Sequence, residues 1–200
     1  MGMCFVMHSV SDDNGRKVKD NPVLIWQLVA PDDPEIFQDA LNESHRVGFF
    51  AKLFGKSAPK EAQISDLTFF EGENQYHDLD KAWHGIYYCL NLSELNAEPP
   101  FNFILEGGDV IGDIDVGYGP ARWLNSDAVA ELHQHLSAIT NDSLSDNYHP
   151  IKMDQLNIYP TIWERDGPDG LEYILEHFNG LKSFINDCAN QRYGVVMYFS

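Results

Sequence analysis

The densest group of reactive side chains lies in HDLDKAWH, residues 77–84, where two imidazoles, two carboxylates and an amine crowd together. On a helix, Asp80 and His84 would stand one turn apart on one flank, with Tyr88 one turn further on. A carboxylate beside an imidazole fixes its tautomer and raises its pKa, which is the arrangement a general base uses. His84 is therefore the candidate base and Asp80 its orienting partner, with His77 and Lys81 as candidate binding residues beside them. The plainer reading is a helix start, with Asp78 or Asp80 in its positive first turn and a half-buried His–Asp pair. His77 and His84 would lie about 10 Å apart along such a helix at ~1.5 Å per residue, too far to share a metal ion.

A second group occupies GYGPAR, residues 117–122. The flanking glycines hold Tyr118 on a tight bend, and Arg122 could orient an anion or pair with one of the chain's carboxylates. With the helix around residues 78–92, this loop would form a cleft in which Tyr118 and Arg122 contact a small molecule and His84 acts as base. The preceding Gly107, Gly108 and Gly112 do not complete a phosphate-cradling motif, and Asp109, Asp113 and Asp115 would repel phosphate. Those three aspartates lack the spacing of a calcium loop. His133 and His135 are two apart, so on a helix they point roughly 200° apart and do not make a ligand pair. Neither G-x-S-x-G nor H-E-x-x-H occurs. The expectation is no metal and no cofactor.

The elements that must position these groups follow from hydrophobic patterning. Residues 4–10 and the closing YGVVMYFS read as strands, and 22–30 as a strand or a short buried helix. The polar SDDNGRKVKDN between them reads as a turn around Asn14-Gly15. Asp33 and Pro34 open a helix reaching about Val47. Phe49, Phe50, Leu53 and Phe54 suit a second short one. Leu79, Trp83, Ile86, Tyr87 and Leu90 recur on one face of a helix. FNFIL is a strand candidate, and GGDVIGDIDVGYGP a glycine-rich excursion. Asn125 or Ser126 caps a helix whose buried stripe is Val129, Leu132, Leu136 and Ile139. IKMDQLNIYPTIW lies in a polar link, and a long helix runs from about Gly170 to Gln191. Strands near both ends with helices between them predict a single α+β domain over residues 1–200, a mixed β-sheet covered by several helices.

Charge sets the expected partners. Thirteen Lys and Arg stand against 31 Asp and Glu, a net charge of −18. That field disfavours nucleic acid and anionic membranes and speeds encounter with a basic protein. No window approaches the roughly 18 apolar residues of a membrane span, and the start has no basic segment of a signal peptide, so a cytoplasmic location is expected. Cys4, Cys89 and Cys188 are odd in number and lack C-x-x-C spacing, which argues against a disulfide framework or a zinc site.

Taken together, the MGM start, HDLDKAWHGIYYCL, GG-x3-G, GYGPARWL and IYP-x-x-W resemble the YfbM-like family, a bacterial family of unknown function. The resemblance is strongest over residues 76–200. It implies a small cytoplasmic α+β protein of bacteria or their phages, and it supplies no catalytic residues to carry over. It does mark His77, Asp80, Lys81, Trp83, His84, Gly107, Gly108, Gly112, Tyr118, Pro120 and Arg122 as residues that converge, in a site or in the core. The expected function is binding of a basic protein through an acidic face, in the manner of an inhibitor or immunity protein. The alternative is the cleft around His84.

Overall fold

Alternation places the core on both sides of the first strand. In β1 (Phe5–Val10) every residue is buried, with Phe5 and Met7 on one face and Val6 and Val10 on the other. A strand covered on both faces reads as a continuous apolar run. β5 (Gly194–Phe199) behaves the same way, Val195 and Met197 facing one cluster and Val196 and Tyr198 the other. The computed structural model describes residues 2–53 and 66–200, and side chains at 2–43 and 66–200.

Among the described residues three further strands complete the sheet: β2 (Tyr76–Asp78), β3 (Asp109–Asp115) and β4 (Pro120–Leu124). Their order is β2-β1-β5-β4-β3. Every neighbouring pair is antiparallel, with Met7 opposite both His77 and Met197, and Trp123 opposite Val196. The expected mixed sheet is thus antiparallel throughout; β2 and β3 run the same way but lie at opposite edges, so no parallel pair forms. The glycine-rich excursion is the β3–β4 hairpin. Its turn is closed by Asp115, whose Oδ1 accepts from the backbone N–H of Gly117 and Gly119, each at 2.9 Å. Those bonds hold the Asp115 carboxyl below its usual range.

One face carries α1 (Asp12–Asp20), α2 (Ile25–Val29) and α3 (Pro34–Leu53). The stretch expected to be a polar turn is α1. Ser11 caps it by accepting from Asn14 N–H, and Gly15 lies so close to the Trp123 indole that a Cβ would collide with it. Residues 22–29 are helical rather than extended. The Phe49, Phe50, Leu53 and Phe54 cluster lies outside the described side chains.

The other face carries α4 (Trp83–Asn91), α5 (Ser126–Ala138), α6 (Asn141–Asp146), α7 (Pro150–Gln155) and α8 (Trp163–Gln191). Asn125 caps α5 as expected, and Val129, Leu132 and Leu136 face the core. α6 and α7 occupy the stretch read as a link. α8 is interrupted at Gly167, whose φ of 50° breaks one turn away from the long helix that restarts at Pro168. FNFIL forms turns rather than a strand. The segment expected to be one helix from 78 to 92 starts as β2, passes through a tight turn at Asp80–Ala82, and becomes α4 only at Trp83. Among the described residues no helix is long and apolar enough to cross a membrane.

Candidate functional site

The MGM start, the HDLDKAWH segment and the IYP stretch meet at one end of the sheet, around residues 2–5. Asp80 stands there in a left-handed conformation, φ 45°, which a non-glycine residue adopts only when its surroundings hold it. Its carboxylate is the anchor: Oδ2 accepts from the Tyr173 hydroxyl at 2.8 Å and Oδ1 from the Cys4 thiol at 3.3 Å. The same hydroxyl accepts from the Lys81 backbone N–H at 3.1 Å. Partial burial alone would raise the Asp80 pKa, but the two donors outweigh it and hold the carboxyl below its ordinary range. The effect on Cys4 is the reverse. Burial, reinforced by the Asp80 bond, pushes its thiol up to about 11, so it is a protonated donor and not a nucleophile.

His84 lies beside this group without joining it. Nδ1 accepts from the Tyr159 backbone N–H at 3.0 Å, and Nε2 faces the Glu94 carbonyl at 3.0 Å. The first contact requires a bare Nδ1, so the proton sits on Nε2 and the ring is neutral. Burial lowers the His84 pKa in support of that state. The expected Asp80–His84 pair therefore does not form. Trp83 stacks on His84 at 4.7 Å between ring centroids, and its indole N–H donates to the Met3 carbonyl at 3.0 Å. Gly2 runs so close to Lys81 Cε and the Tyr159 hydroxyl that a side chain there would collide with both.

Arg122 and Tyr118 do not share a cleft with these groups. Arg122 is buried in β4, and its guanidinium donates to the carbonyls of Phe103, Ile104 and Gly107. Desolvation lowers its pKa to about 10, which still leaves it charged at neutral pH. It fastens the turns of residues 101–107 to the sheet and offers nothing to an anion. Tyr118 is exposed at the hairpin tip, and its backbone N–H donates to Phe199. His77 is on the edge strand, its ring stacked on Phe184 at 5.3 Å. Cys4, Tyr159 and Tyr173 were not among the expected site residues. Tyr173 lies off the apolar stripe of its helix, and nothing local in the sequence ties it to a residue 93 positions away.

Two depressions border α8. One, of about 430 Å³, is lined by Pro168, Leu171, Glu172, Leu175, Glu176 and Asn179. The other, of about 660 Å³, lies between residues 71–77 and the second half of α8 and includes Glu71 and Asp187. No lysine or arginine lines either among the described residues. Nor do three of His, Cys, Asp and Glu converge as metal ligands there.

A family model described as a domain of unknown function, DUF1877, matches residues 1–198. The chain belongs to that family. The DUF1877 fold here is similar to the crystal structure of YfbM from Escherichia coli, a protein of unknown function, with a TM-score of 0.62. The two share 11% sequence identity, and the match covers 98% of this chain and 99% of the other, so the likeness is one of fold. No match is found among curated proteins.

Proposed function

We propose that this DUF1877 protein is a binding protein of inhibitor or immunity type that receives a basic protein partner on its acidic surface. One observation carries the reading. Asp80, His84 and Arg122 are engaged inside the protein, while both depressions on α8 present carboxylates without a lysine or arginine among the described residues. A general base needs a free lone pair near substrate, and both nitrogens of His84 are taken by backbone groups. A net charge of −18 supplies a long-range attraction for cations that no single pocket is needed to produce. The test is association kinetics with a basic protein captured on the immobilised domain. Raising salt should slow association by about tenfold or more and change dissociation far less, because steering is screened beyond a Debye length of ~8 Å. Salt-independent association would refute the reading.

A further inference from the structure

We infer that the groove between residues 71–77 and α8 is a receptor for an arginine side chain of the basic partner. The inference rests on the acidic-surface reading above and gives it a place and a chemistry.

The groove has a volume of about 660 Å³, ample for a guanidinium and its aliphatic stem. Its walls come from two elements that the fold holds side by side. The edge strand β2 and the turn before it supply Glu71, Gln75 and His77, and α8 supplies Phe184, Asp187 and Gln191. Asp187 and Glu71 are the charged groups of this lining, both negative and both exposed. An anion entering here meets these carboxylates and the field of the whole protein, whereas a cation is drawn in by both.

The lining also favours a flat cation over a compact one. The His77 and Phe184 rings lie nearly parallel, 14° apart, packed against Gly180 at the base of the groove. Gly180 lets the His77 ring pack this closely, since a Cβ there would stand 2.9 Å from His77 Cε1. Burial lowers the His77 pKa, so the ring is uncharged near neutral pH and does not repel a cation. Its Nε2 is buried with no hydrogen-bond partner among the described residues. A guanidinium is planar, packs against aromatic rings, pairs in a fork with carboxylates and brings five N–H donors. Side-chain amides of Gln75 and Gln191 supply further acceptors around it.

The test uses N-acetyl-arginine amide against the isotopically labelled full chain, followed by NMR, with the uncharged citrulline analogue and N-acetyl-lysine amide as comparators. Arginine amide should shift the resonances of His77, Phe184 and Asp187, the lysine compound less, and the citrulline compound not at all. The double variant Asp187→Asn with Glu71→Gln should weaken binding roughly fivefold, as expected for two exposed ion pairs. Glu172→Gln with Glu176→Gln should leave it unchanged. Equal binding of the lysine or citrulline compound would overturn the arginine assignment. Shifts confined to the Glu172–Glu176 depression would overturn the groove and leave the acidic-surface reading intact. No salt-dependent binding of an arginine-rich peptide anywhere would overturn both.

Discussion

Acidification should destabilise this protein through its histidines before its carboxylates respond. His8, His77 and His84 all have pKa values lowered, in each case chiefly by burial. Their surroundings show why the neutral form is required. His84 Nδ1 accepts from a backbone N–H, so a proton there would set donor against donor. His77 Nε2 has no acceptor in reach among the described residues, and His8 stacks on Tyr198 in the core, where burial outweighs the Asn74 Oδ1 acceptor 2.8 Å from its Nδ1. Released in the unfolded chain, each imidazole titrates near ~6.5. The unfolded state therefore binds more protons below that pH. The stability contributed by the neutral rings is complete above it and is lost as pH falls toward the folded-state values. One such ring gives a slope of at most ~1.4 kcal/mol per pH unit, so three give at most ~4, against a typical total stability of ~5–15 kcal/mol. Relief of repulsion among the 31 acidic residues works the other way, but carboxylates titrate near pH ~4, below this window. Urea unfolding at several pH values between about 7.5 and 5.5 reads the slope directly. His84→Gln should remove about a third of it. Stability that stays level or rises on acidification through this range would refute the reasoning.

Other perturbations test the remaining contacts. Arg122→Ala leaves three backbone carbonyls without their donor and should cost about 3 kcal/mol or more in urea unfolding, with Arg122→Lys recovering only part because an ammonium lacks the fork geometry. Trp83→Ala should cost roughly 3–5 kcal/mol, since the ring fills the junction of His84, Tyr159 and Phe199 and ties down Met3. Tyr173→Phe should raise the Asp80 pKa in an NMR titration and cost about 1 kcal/mol, because one of two donors is lost. Cys4 should react slowly with thiol reagents at neutral pH, and Asp80→Asn should speed it by removing a carboxylate that opposes the thiolate.

What was legible in the sequence is what local chemistry decides. The stripes of α5 and α8 and the Asn125 cap carry their own periodicity and capping signal, and the terminal strands are apolar enough to stand out. The failures have distant causes. FNFIL looks like a strand, but its carbonyls are claimed by Arg122 some 18 residues away, so it curls into turns. Asn14 and Gly15 look like a turn, but the glycine is there to let the Trp123 ring pass and the asparagine to bond Glu73. The proposed dyad failed on register. Asp80 and His84 face one another only if the helix runs through both, and the positive φ at Asp80 places the carboxylate before the helix begins.

The strand order has a consequence for how this chain is made. β1 and β5 are its first and last strands, yet they lie side by side in the middle of the sheet. Until β5 emerges from the ribosome, β2 and β1 on one side and β4 and β3 on the other are separate ribbons, each exposing a hydrophobic edge. Two-stranded ribbons are marginal in water. The sheet therefore closes in one late step that joins positions almost the whole sequence apart, Phe5 to Phe199. Such pairings make folding slow, and the unpaired edges before closure are where aggregation begins. Loss of the last strand alone would leave two fragments of sheet with nothing to join them.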